Sequence, residues 1–101
     1  MPRVIGLHFV CRDDRNVVDL GDGTFDTGFW YVAKRHADTA EYVALHDSRG
    51  QRSYRQGRVL DWWTTPYQGK TRIVFRVRDD GVRREWCGGG TGERGYRWSS
   101  D

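Results

Sequence analysis

The densest run of cationic side chains lies at residues 49–58 (RGQRSYRQGR), where Arg49, Arg52, Arg55 and Arg58 recur every third residue around Tyr54. A guanidinium fork grips a phosphate through two parallel N–H bonds, and an interleaved phenol offers a base a face to stack on. These are therefore the residue types of a nucleic-acid surface. Spacing complicates the assignment, because every third residue shares one side of a helix but alternates across a strand. On a strand the four arginines point to both faces. The competing reading is a solvated hairpin edge, in a chain that uses fifteen Arg and only two Lys.

Two further constellations invite a ligand. In Asp61-Trp62-Trp63 the two indoles are neighbours, so on a strand they face opposite sides and cannot enter the same core. One is left to line a groove or to lie under the loop at residues 64–70. An indole beside a carboxylate suits a planar heterocycle, which stacks on the ring and donates an N–H to the acid. The stretch at residues 87–96 (CGGGTGERGY) holds Gly90, Gly92 and Gly95 in a formal G-x-G-x-x-G. Only six residues follow Gly95, so the helix and second strand of a dinucleotide site have no room. Glu93 stands where a Walker loop requires Lys. What is left is a glycine loop whose amides, at Gly90 and Gly92 with Arg94 beside them, can approach an anion, or a bulged connector into the last strand.

Metal and covalent chemistry have little to build on. His8-x-x-Cys11 is the only close pair of soft ligands, and a strand aims the two in opposite directions, so no metal site is expected. Cys11 or Cys87 with any of the three histidines makes a formal dyad, but such pairings arise in almost any chain of this composition. The histidines read as surface or partly packed residues. Two cysteines set among charged and glycine-rich sequence read as free thiols rather than as a secreted disulfide framework.

The elements that must position these residues follow from size and periodicity. A chain of 101 residues supports one domain with one modest core, not two lobes around a cleft. With 37% hydrophobic and 14% aromatic residues it is too apolar for a disordered segment. No apolar window is long enough to span a membrane, and residues 1–10 lack the pattern of a secretory leader, so a cytoplasmic protein with no membrane partner is expected. Strand-like runs occur at residues 3–10, 16–20, 28–34, 41–46, 51–55, 58–63, 71–78, 82–86 and 93–98. The clearest is TRIVFRVR at 71–78, where Ile73, Phe75 and Val77 alternate with Arg72, Val74, Arg76 and Arg78. Turn signals separate the runs: Gly21-Asp22-Gly23, residues 47–50, Gln68-Gly69 and Asp79-Asp80-Gly81. Trp30 and Trp86 sit in apolar runs and read as core. A short helix near residues 37–46, with alanines at helical spacing and Asp38 and Glu41 as a capping box, competes with a turn at 36–40 between two strands.

The expected fold is mainly β, a small antiparallel barrel or strongly bent sheet of six to eight short strands. Charge divides unevenly, with five Lys/Arg against eight Asp/Glu before residue 49 and twelve against six after it. The basic half, its arginine stretch and the paired indoles point to a binding module for nucleic acid or another planar ligand, without catalytic residues, cofactor or metal. Two alternatives belong to other classes. One is a protein–protein adaptor or homodimer anchored by exposed aromatics, the other a small hydrolase or nucleotide-processing enzyme using the glycine loop and a carboxylate.

Overall fold

The computed structural model describes residues 1–89 and 92–101. Its elements are β1 (Val4–Val10), a 3-10 turn (Arg12–Asp14), β2 (Val17–Asp19), β3 (Thr24–Trp30), α1 (Lys34–Thr39), β4 (Tyr42–His46), β5 (Arg55–Tyr67), β6 (Lys70–Asp79) and β7 (Arg94–Trp98). The seven strands form one mixed sheet in the order β2-β3-β6-β5-β4-β1-β7. No helix among the described residues is long and apolar enough to cross a membrane.

The hairpin β5–β6 is the spine of the sheet. Gln68 and Gly69 join its strands with φ of 51° and 77°, the left-handed pair that a tight hairpin turn demands and that glycine supplies without steric cost. Along β6, Ile73, Phe75 and Val77 are buried while Arg72 and Arg76 are half-exposed and Arg78 is exposed, which is the facing that the alternation predicts. Val74, on the opposite face, is nonetheless buried. It packs where β3 passes at Gly28, close enough that a Cβ there would meet the Val74 side chain at 2.9 Å.

Three expectations change. The sheet is mixed rather than antiparallel, because β1 and β4 pair in parallel, Leu7 opposite Val43 and Phe9 opposite Leu45. A parallel pair needs a long crossover, and this one runs through the 3-10 turn, the β2–β3 hairpin and α1. The sheet is also open, with β2 and β7 at its edges, so no barrel closes. It curls strongly all the same. Phe9 on β1 stacks on Trp30 of β3 at 4.1 Å between centroids, although three strands separate β1 from β3 in the sheet. The helix, finally, occupies Lys34–Thr39 and ends before Tyr42 and Val43. Those two residues belong to β4, where their β preference is satisfied by pairing on both sides.

Residues 82–86 and 51–54 carry no strand pairing. Instead the segment after β6 straps across one face of the sheet. Ser53 N donates to the Arg84 carbonyl at 2.7 Å, and Arg84 N donates to Ser53 Oγ at 2.8 Å. Beneath this strap lies the second face of β1 and β4, which explains why β1 is buried on both sides. One face presents Leu7, Phe9, Val43 and Leu45 to the apolar core with Phe25, Phe75 and Val77. The other presents His8, Ala44 and His46 to the strap.

Candidate nucleic-acid interface

Folding gives the arginines of residues 49–58 different jobs. Arg55 stands opposite Leu45 at the start of β5, and its guanidinium forms a fork with Asp14, Nη2 to Oδ2 at 2.7 Å and Nε to Oδ1 at 3.3 Å. The same group lies 5.1 Å over the Phe25 ring. Tyr54 donates its hydroxyl to the Cys11 carbonyl at 2.6 Å, and burial, reinforced by the neighbouring Cys11 thiol and Asp14, pushes its pKa up. Both side chains thus pin the turn that follows β1. Arg52 is exposed and pairs loosely with Glu85 at 3.8 Å. Arg49 is exposed. Arg58, further along β5, is exposed opposite Tyr42 and Arg78. The four do not form one surface.

The indole pair separates as its spacing requires. Trp62 packs against the apolar core, whereas Trp63 is half-exposed on the other face under the Arg76 guanidinium, 5.2 Å from its ring. Arg76 itself is held by Asp26 through two bonds of 2.8 and 3.0 Å. The Asp61 carboxylate accepts the Trp62 backbone N–H at 2.8 Å. Of the glycine loop, Gly90 lies outside the described residues and Gly92 is an exposed residue just before β7. Arg94 lines a cavity with Gly88 and Gly89 and turns its guanidinium to the Tyr31 carbonyl, to which it donates.

That turn of Arg94 builds a surface the sequence did not announce. Arg72 lies 5.1 Å from the centre of the Tyr31 ring, Arg94 lies 5.5 Å from the same ring and 5.7 Å from the ring of Tyr96. Tyr96 in turn meets His36 at 5.0 Å, and His36 meets Trp98 at 5.4 Å. The result is a ladder, Arg72, Tyr31, Arg94, Tyr96, His36 and Trp98, in which cations and rings alternate at its exposed end. Tyr31 is 69% exposed, a large value for an aromatic residue. Neither Arg72 nor Arg94 has a carboxylate partner among the described residues. Burial, followed by the charges of Arg35 and Arg94, lowers the pKa of His36. The ladder therefore presents rings and unneutralised guanidinium groups together. Its members come from β6, the segment after β3, α1 and β7, so no local sequence window contains it.

A second cluster was also hidden. His8 and His46 are fully buried, not surface residues. Gln51 contributes a carbonyl, which can only accept, so His46 Nδ1 carries a proton and donates to it at 2.8 Å. In the neutral ring His46 Nε2 is then an acceptor, taking the His8 Nδ1 proton at 2.9 Å. His8 Nε2 accepts in turn from the Tyr42 hydroxyl at 2.8 Å. Gly6 makes the last contact feasible, since a Cβ there would stand 2.1 Å from the Tyr42 ring. Trp86 closes the cluster edge-on against both imidazoles rather than joining the apolar core. Burial, reinforced by the charges of His46, Arg84 and Arg97, lowers the His8 pKa to about 3, and burial lowers that of His46 as well. Every donor in the chain has an acceptor, which marks it as an architectural support for β1 and β4.

Both cysteines are free thiols, Cys11 buried and Cys87 half-buried. Among the described residues no three His, Cys, Asp or Glu side chains converge as a metal site would need. No known protein family, curated protein or solved structure matches this chain.

Proposed function

We propose that this protein is a binding module for single-stranded nucleic acid and that the ladder from Arg72 to Trp98 is its contact surface. The observation that carries the reading is the alternation of Arg72, Tyr31 and Arg94 with no carboxylate among the described residues to neutralise either cation. An exposed cation–aromatic stack supplies what a strand offers on its two sides, since the guanidinium groups meet phosphates and the phenol meets an unstacked base face. A duplex keeps its base faces covered, so the ladder favours single strands. Charge distribution supports the same direction, because twelve of the seventeen Lys and Arg residues lie after residue 48.

Fluorescence titration of a decathymidylate and of a matched duplex, at several salt concentrations, tests this reading. Single-strand binding that weakens as salt rises, and that Arg72→Ala with Arg94→Ala weakens about a hundredfold, is the expected result. Absence of binding at low salt refutes it. Self-association through the ladder aromatics, insensitive to salt, replaces it with the adaptor reading.

A further inference from the structure

Beside the ladder lies a cavity of about 390 Å³, a volume within the range of small-ligand sites. Trp30 and Glu93 line it, and their chain neighbours Tyr31 and Arg94 belong to the ladder. Its walls differ sharply. One is aromatic: Phe29 and Tyr67 stack at 4.3 Å with 15° between their planes, and Trp30 joins them. Phe9 covers one face of the Trp30 indole at 4.1 Å, and Trp30 Nε1 donates to Thr27 Oγ1 at 3.0 Å, so the indole is fixed.

The other wall is the turn after β1, carrying Arg12, Asp13 and Arg15. This turn is held from several directions. Tyr54 and Arg55 grip it through the Cys11 carbonyl and Asp14, Cys11 Sγ donates to the Arg15 carbonyl at 3.4 Å, and Gly28 N donates to the Asn16 carbonyl at 3.3 Å. Arg12 pairs with Glu93 at 3.3 Å across the rim. Arg15 and Asp13, both exposed, form no ion pair among the described residues.

We infer that this cavity receives one nucleobase, turned out of the strand that the ladder holds, so the inference rests on the nucleic-acid reading. A base brings a flat face for the rings, amino or ring N–H donors for the Asp13 carboxylate, and carbonyl or phosphate acceptors for Arg15. A sugar also stacks on aromatic rings, but a neutral glycan gives the free guanidinium groups of Arg15, Arg72 and Arg94 no anion to meet. The pinned turn presents its groups without a folding cost at the moment of binding.

Adenosine monophosphate is the probe, compared by calorimetry with ribose 5-phosphate and with a neutral glucose oligosaccharide, alongside a decathymidylate. Expected are adenosine monophosphate binding at least tenfold tighter than ribose 5-phosphate, a loss of at least fivefold in Tyr67→Ala and in Arg15→Ala, and retention in Tyr67→Phe, which keeps the ring. Thermal unfolding of each variant separates lost binding from lost folding. Decathymidylate binding that depends on Arg72 and Arg94, with adenosine monophosphate no tighter than ribose 5-phosphate, overturns the base pocket and leaves the ladder standing. Oligosaccharide binding in place of the nucleotide overturns it as a sugar site. No oligonucleotide binding at all removes the ladder reading and this inference with it.

Discussion

Residues 49–58 and the ladder from Arg72 to Trp98 contain the same chemistry, arginine beside tyrosine, yet the fold gives the half-buried Arg55–Tyr54 pair of the first and the exposed arginines of the second opposite electrostatic states. Arg55 is locked to Asp14 and Arg52 faces Glu85, while among the described residues Arg72 and Arg94 meet rings and carbonyls and no carboxylate. Of the first region's cations, Arg55 alone is drawn inward, to hold the turn after β1, while Arg49, Arg52 and Arg58 stay exposed. The second region leaves its cations for a partner. Density of arginine in a sequence window is thus a poor guide to where phosphate binds, because a guanidinium already paired with a carboxylate offers little net attraction to a second anion.

The largest effect expected from this contrast is on binding. Arg72→Ala with Arg94→Ala should weaken single-strand binding about a hundredfold at low salt and flatten log K against log salt by about 1.4, at ~0.7 per lost phosphate contact. Both residues being partly or fully exposed, the change in folding stability should stay under ~0.5 kcal/mol. Urea unfolding and fluorescence titration read the two quantities separately.

Acid should act on stability through the buried histidine pair, with His36 of the ladder, whose pKa is also lowered, adding in the same direction. Folded His8 and His46 have lowered pKa values, so below the unfolded value of ~6.5 the unfolded chain binds more protons. Their contribution is complete above that pH and is lost as pH falls toward the His8 value of about 3. From pH 6.5 to 5, His8 alone should lower stability by about 2 kcal/mol, with His46 adding in the same direction. Urea midpoints that do not move over this range would mean that the pair is already charged in the folded protein.

Arg55→Ala should cost about 1–2 kcal/mol of stability, since it leaves Asp14 without its half-buried partner and uncovers Phe25. The salt slope of oligonucleotide binding should not change, in contrast to the ladder variants. A reduced slope would place Arg55 on phosphate and erase the distinction between the regions. Arg52→Ala is the smallest case. Its pair with Glu85 is long and solvent-exposed, so stability should change by less than ~0.5 kcal/mol and affinity by less than about twofold.

Short-range rules were sufficient for much of this molecule. The period-two alternation of Ile73, Phe75 and Val77 placed the core face of β6, Gln68-Gly69 marked the hairpin turn, and adjacency alone sent Trp62 and Trp63 to opposite faces. Those features depend on pleat geometry and on the φ that glycine tolerates, which act over two to four residues. Composition likewise sufficed for a mainly β chain. Tertiary structure alone decided the rest. The parallel pairing of β1 with β4 depends on a crossover of some thirty residues, and the strap over His8 and His46 turned two unremarkable histidines into a buried pair. Arg55 found Asp14 at 41 positions' distance and Arg94 found Tyr31 at 63. Alternation fixes which residues share a face of one strand, but not which strand lies beside it or which carboxylate comes opposite a given guanidinium. Those depend on register and on the curl of the whole sheet, and through them on which arginines remain uncompensated.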